Sequence, residues 1–354
     1  MSSYSRRDFL RFLMTLSAAG ISSYLSGCNT LESTPTMKPT EGVNALIGAS
    51  TATNQPAAEP SAGEPTSTQA DTETGAEEPT SPQGAYLAVA RGQAPGPEEL
   101  TRRAIAAVGG IEHYVKQGAD VIVKPNICNA YHSPEYASTT NPAVVAAIVA
   151  LCLEAGAGSV RVMDFPFGGT AQNAYEMSGI AQAVEAVGGQ MELMNSLKYQ
   201  EVAIPNAKAL NRTQVYADIL TADTVINVPI AKHHSGAGLT LGMKNLMGTI
   251  LNRGALHANG LHQSIADLST VVKPHLTVID ATRILVANGP TGGSLNDVRE
   301  MDTVIASPDV VAADAFAATL FNMTGADIGY IKFADQLGLG TMDLKSINIE
   351  EIDA

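Results

Sequence analysis

Tryptophan is absent from this 354-residue chain and aromatic residues make up only 5% of it, so aliphatic side chains must fill its core. Basic residues are also few: 21 Lys and Arg stand against 35 Asp and Glu, a net charge of −14. That balance argues against a nucleic-acid partner, because phosphate binding needs clustered Lys and Arg. There are only three cysteines, Cys28, Cys128 and Cys152, and their spacing fits no zinc or iron–sulfur pattern. Cys128 and Cys152 read as two buried thiols, with a disulfide open to them in an oxidising compartment. No Gly-x-Ser-x-Gly elbow, phosphate-binding P-loop or helical His-Glu-x-x-His motif occurs, and no internal repeat.

What is present begins with a targeting segment over residues 1–28. Ser5-Arg6-Arg7-Asp8-Phe9-Leu10-Arg11 resembles a twin-arginine motif, and Leu25-Ser26-Gly27-Cys28 resembles a bacterial lipobox. The stretch between them, Phe12 to Leu25, is too short and too rich in Ser, Ala and Gly for a membrane span. The expectation is a lipoprotein acylated at Cys28, anchored on the extracytoplasmic face of the cell membrane, with the twin-arginine translocase as a partner. That route implies folding before export, often around a cofactor inserted in the cytoplasm. Residues 29–84 are rich in Thr, Ser, Pro and Glu and contain no Phe or Tyr. They bury too little apolar area to offset ordering entropy, so a disordered linker is expected there.

From residue 85 to 354 the pattern becomes one α/β domain with a largely parallel sheet and helices on both faces, as strands alternating with helical windows imply. Strands are expected at Asp120–Lys124, Ser159–Asp164, Thr224–Val228, Leu276–Asp280 and Thr303–Ala306, with a strand-like run at Arg283–Ala287. Helices are expected at Pro142–Ala155 with Asn141 as N-cap, at Ser264–Val272, at Asp309–Phe321 and from about Leu239. Lys232-His233-His234 reads as a loop, and Ser235–Gly238 as a small-residue loop opening the helix, where backbone N–H groups could meet an anion. Gly289–Gly293 reads as a plain turn, with a lid or phosphate cradle as the sharper reading.

In open α/β sheets ligands bind beyond the carboxyl ends of the strands. Those ends carry Lys124 with Asn126, Asp164, Lys232 with His233 and His234, and Asp280. The expected catalytic group is therefore His233, His234, Lys232, Lys244 and Asp164, with Lys124, Asn126, Asn245, Arg253, His257 and His262 binding substrate. Lys232, Lys244 and Arg253 would hold a carboxylate or phosphate. His233 or His234 would act as general base or metal ligand, since neutral imidazole serves either role near neutral pH. Asp164 and Asp280 would orient a histidine or complete a metal site with His233 and His234. Five of the seven histidines fall between 233 and 275, but adjacent His233 and His234 point apart in any regular structure. Asp314, inside a helix, reads equally as structural or as part of the site, and His275 reads as structural.

These residues resemble the family known as domain of unknown function 362. The resemblance is carried by Val123-Lys124-Pro125-Asn126, Val228-Pro229-Ile230-Ala231-Lys232-His233-His234 and Gly238-Leu-Thr-Leu-Gly-Met-Lys244-Asn245-Leu-Met-Gly248. It continues through Arg253, His262, Asp280, Asn288-Gly289-Pro290 and Ala306-Ser307-Pro308-Asp309 and covers essentially all of residues 85–325. Many relatives carry a ferredoxin-like module with clustered cysteines; this chain lacks it, so no iron–sulfur cluster of its own is expected. Met163-Asp164 stands where relatives tend to read Gly-Asp. The Lys and His arrangement is also similar to that of nickel-cofactor lactate racemases, an analogy only. The function expected is an enzyme acting on a small anionic molecule, with a metal or preassembled cofactor left open. The alternative is a non-catalytic lipoprotein that binds an anion or metal.

Overall fold

The computed structural model describes residues Tyr86–Ala354; the expected signal peptide and linker lie outside the described residues. The strands are β1 (Leu87–Arg91), β2 (Asp120–Pro125), β3 (Ser159–Val162), β4 (Gln190–Met191), β5 (Tyr199–Ala203) and β6 (Arg212–Tyr216). They continue with β7 (Thr224–Val228), β8 (Ile230–His234), β9 (Gly238–Thr240), β10 (Leu276–Leu285), β11 (Val298–Ser307) and β12 (Ile349–Asp353). Ten of them form one sheet in the order β12-β1-β11-β10-β7-β2-β3-β4, with β8 on β10 and β9 on β8; β5 and β6 pair separately. Pairing is parallel from β10 through β7, β2 and β3 to β4, and antiparallel where β11 sits between β10 and β1.

Side chains alternate across this sheet and build a core on each face. Val121 and Val123 of β2 face one way, with Val278 of β10 and Val304 of β11. The helices Gly96–Ala107, Pro142–Glu154 and Ile180–Ala186 cover that face through Leu100, Ile148 and Val184. Ile122, Ile279 and Ile305 face the other way, under Leu268, Phe316 and Ile331 of the helices Leu261–Ser269, Val310–Thr319 and Gly329–Gln336. Among the described residues no helix is long and apolar enough to cross a membrane.

The helix at Pro142 forms as expected, its N-cap Asn141 accepting from the Ala143 N–H at 3.0 Å. The segment after β7 differs from expectation. Lys232-His233-His234 is the end of strand β8, which follows β7 after Pro229, a residue with no N–H to give, and pairs with β10. Ser235–Gly238 is the turn into β9, not the mouth of a helix, and the helix starts only at Gly242 and ends at Asn245 before a 3₁₀ turn over Leu246–Thr249. Leu239, Met243, Met247 and Ile250 are nonetheless all buried. Arg283 belongs to the continuation of β10, whose partner β11 extends back to Val298.

Candidate active site

Beyond the carboxyl ends of β2, β3 and β7 lies a cavity of about 260 Å³. Asn126 and Cys128 reach it just after β2, Asp164 after β3, Lys232 and His234 from β8 and Thr240 from β9. Lys244 and Asn245 come from the short helix that follows, Arg253 and His257 from the helical turn Gly254–Ala258 and the residue before it. Phe165, Phe167, Met247 and Pro290 supply apolar wall. Lys232 and His234, two apart on a strand, share the cavity face, and His233 points away.

One side of this wall is a closed network. Lys124 Nζ donates to Asp164 Oδ1 at 2.7 Å, to Asn245 Oδ1 at 2.9 Å and to the Pro125 carbonyl at 2.9 Å, which uses all three of its hydrogens. Asp164 Oδ2 accepts from the Ile127 N–H at 2.6 Å. Asn245 also accepts from Asn126 Nδ2 and donates to Asn227 and to the Lys124 carbonyl, leaving none of its polar sites free. Burial draws the Lys124 ammonium below its ordinary value, opposed by the charge of Asp164. Lys124 and Asn245, expected to touch substrate, are therefore the frame of the site.

The other side is open. Lys244 lines the cavity with no hydrogen-bond partner among the described residues, and burial, then Lys232 and Arg253, pull it down to about 7. Arg253 donates to the carbonyls of Phe165 at 2.6 Å and Pro166 at 3.1 Å and lies 4.7 Å above the Phe165 ring, with no carboxylate paired to it among the described residues. Lys232 is buried and donates to Asn126 Oδ1 and to the carbonyls of Ser138 and Pro290. Asp164 is the one carboxylate among the lining residues, and Lys124 already neutralises it.

The histidines sort by their hydrogen bonds. His234 Nδ1 accepts from the N–H groups of Gly236 and Ala237, at 3.0 and 3.1 Å. The turn that was expected to offer N–H groups to an anion offers them to this ring instead. Burial, then Lys244 and Lys232, push His234 down to about 3, so it is neutral, and the occupied Nδ1 leaves its proton on Nε2. His234 is thus a donor rather than a base. His233 Nδ1 accepts from Gly289 N at 3.1 Å and pins the loop whose Pro290 carbonyl receives Lys232. His262 stacks on Tyr330 and accepts from its N–H at 3.2 Å, outside the cavity, and His275 accepts from Val225 N. Of the five clustered histidines only His257 lines the cavity with neither ring nitrogen engaged among the described residues.

The expected metal set does not assemble. Asp280 is fully buried and accepts from Asn141 N at 2.7 Å and from Thr282, away from the cavity, while Asp164 holds Lys124. Among the described residues no three His, Cys, Asp or Glu side chains gather as metal ligands. Asp314 does act structurally: it accepts from the N–H groups of Gly242 and Met243 at 2.5 and 2.9 Å and so fixes the start of the helix carrying Lys244. Cys128 and Cys152 are free thiols, and the sequence reading assigned neither to the site. Cys128 follows Lys124 and Asn126 at a spacing of two, the one signal that could have placed it there. Thr240 had no such signal, because its strand was read as helix.

A thylakoid-associated protein of Synechocystis sp. is 28% identical over 246 residues, covering 67% of this chain and 74% of its own length. Two solved structures are similar at low identity and low TM-score. The lactate racemase apoprotein of Thermoanaerobacterium thermosaccharolyticum has a TM-score of 0.39 and 15% identity over 64% of this chain and 54% of that one. A Thermotoga maritima protein has a TM-score of 0.41 and 14% identity over 64% of this chain and 58% of that one. The chain thus spans less than two thirds of either solved structure. Residues 121–319, more than half of the chain, match the family described as "Domain of unknown function (DUF362)", and the protein belongs to that family.

Proposed function

We propose that this protein is an enzyme acting on a small carboxylate or phosphate, held by its lipidated N-terminus on the extracytoplasmic face of the cell membrane. The observation that carries the first half is the charge arrangement of the cavity. Lys232, Lys244 and Arg253 converge on it, and its one lining carboxylate is already paired to Lys124. An anionic ligand supplies the charge that this wall lacks.

In this reading Arg253 and the protonated form of Lys244 hold the anionic group. His234, neutral with its proton on Nε2, donates to a substrate oxygen. His257, held below its ordinary value by burial and by Lys244, is the ring that accepts the substrate proton. The reaction class is proton abstraction beside an oxygen that His234 polarises. Membrane anchoring rests on Arg6-Arg7 and on Leu25–Cys28.

Calorimetric titration of the full chain with small 2-hydroxy carboxylates, 2-oxo carboxylates and inorganic phosphate tests binding, and incubation in deuterium oxide tests proton abstraction. The expected result is binding with net proton uptake, as the anion draws Lys244 into its charged form, and exchange at the carbon beside the carboxylate that His257→Ala abolishes. Binding without exchange for any carboxylate makes the protein a non-catalytic anion-binding lipoprotein. No binding at all overturns the reading.

A further inference from the structure

The cavity contains a second chemical resource that this reading leaves unused. Lys232 Nζ has three oxygen acceptors, Ser138 O at 2.5 Å, Asn126 Oδ1 at 2.9 Å and Pro290 O at 3.0 Å. Three acceptors call for three N–H bonds, so the group is an ammonium, and it is only 1% exposed. None of those oxygens carries a formal charge, and Lys232 forms no ion pair with a carboxylate among the described residues. A buried cation without a counter-charge is costly. Its fourth neighbour is the sulfur of Cys128, 3.2 Å away, which also receives Asn129 Nδ2 at 2.9 Å and lies 3.2 Å from the Ser138 carbonyl oxygen, the acceptor it would use as a thiol. Cys128 alone among these contacts can supply the negative charge; Asn129 presents a hydrogen to it, and the Lys232 ammonium lies against it as a charge, its own hydrogens turned to the three oxygens.

A ligand beside that sulfur has its own evidence. Thr240 is 3% exposed, lines the same cavity, and its hydroxyl has no hydrogen-bond partner among the described residues. It pairs across the strands with Lys232. A buried hydroxyl without a partner next to an open cavity calls for a polar atom of something bound there. We propose that Cys128 is a nucleophile, its sulfur held as a thiolate by Lys232 and Asn129, and that it attacks an electrophilic carbon of a small carboxylate or phosphate bound in this cavity. The thiolate lone pair forms the sulfur–carbon bond, the leaving group departs with the electrons of the bond it loses, and Lys232 keeps its proton. The nucleophile stands on the Lys232 contacts, whereas the anionic partner rests on the reading of Lys244 and Arg253 given above.

Two alkylating reagents separate those parts. Iodoacetamide, uncharged, reports on the sulfur; iodoacetate, anionic, reports on the sulfur and the cations together. In each case the sulfur–carbon bond forms and iodide leaves. The detergent-solubilised full-length chain is treated with either reagent from about pH 6 to about pH 8, and each cysteine is scored by peptide mass mapping. The expected result is that Cys128 outruns Cys152 by roughly tenfold or more, changes less than about threefold in rate over that range, and reacts faster with iodoacetate than with iodoacetamide. An iodoacetamide rate that climbs by about tenfold per pH unit, or a Cys128 that stays unmodified, overturns the nucleophile whatever the anion titrations give. A flat iodoacetamide rate with iodoacetate slower leaves the thiolate standing and overturns the anionic partner, and the anion-binding reading with it. Lys232→Met should restore the steep pH dependence. If that variant does not fold, the ultraviolet thiolate absorbance lost in Cys128→Ala gives the same answer, and no difference there counts against the proposal.

Discussion

Two lysines at one cavity, Lys244 on its wall and Lys124 behind it, end in opposite states. Lys124 places its three hydrogens on Asp164, Asn245 and the Pro125 carbonyl and has nothing left to offer a ligand. Lys244 has no partner among the described residues and titrates at about 7, because burial and two neighbouring cations disfavour its charge. The same residue type is therefore frame in one place and reagent in the other. What separates them is the presence of a buried carboxylate, which lets Lys124 stay charged where desolvation alone would not.

The comparison can be broken most sharply at Lys124. Lys124→Met strands Asp164 as a buried unpaired charge and is expected to lower unfolding free energy by about 3–5 kcal/mol in urea denaturation. Adding Asp164→Asn to that variant should recover part of the loss; a single-variant cost below about 1 kcal/mol would mean that the pair is not the frame described here. Gly248→Ala probes the same pair sterically. A Cβ at Gly248 would fall on Asp164 Oδ1 and within 2.6 Å of Lys124 Nζ, so a loss of about 1–3 kcal/mol is expected by the same measurement.

Lys244→Met removes a group whose charged form burial disfavours and is expected to raise stability near neutral pH. Its affinity for anions should fall about tenfold or more, or roughly 1.4 kcal/mol. The pH profile carries a sign. Lys244 is held at about 7 in the fold against its ordinary 10.5, so across that window the unfolded chain binds a proton that the folded chain lacks. Stability contributed by this group therefore rises as pH rises from about 7 towards 10, and Lys244→Met should flatten that rise in urea denaturation curves taken across it. The mildest expected effect is at His233→Ala, which leaves the Gly289 N–H without its acceptor at a partly exposed site. Thermal unfolding should register a cost of about 1 kcal/mol.

Much of the site was legible in advance because it sits where regular elements end. Asp120–Lys124 and Thr224–Val228 are runs rich in Val and Ile, and their ends deliver Lys124, Asn126 and the approach to Lys232 as pattern alone implied. The reading failed where local preference and tertiary pairing disagree. Lys232-His233-His234 has no strand signature of its own; it is a strand because β10, beyond its pairing with β7, offers it an edge. That error hid Thr240 and turned the Ser235–Gly238 turn into an imagined anion cradle. Asp280 and His262 had the right chemistry for the site and the wrong address, since each already satisfies backbone N–H groups elsewhere.

The sequence by itself determined the alternation of strands and helices, the apolar faces of β2, β7 and β10, and the set of cations available, because these follow from side-chain periodicity and residue type. Tertiary structure decided which cations are paired, which histidines are committed as acceptors, and that Cys128 lies against Lys232 rather than against Cys152. Residues 104 positions apart meet there. No local pattern encodes such a meeting, and a side chain's charge state depends on the partner it finds once water has been excluded.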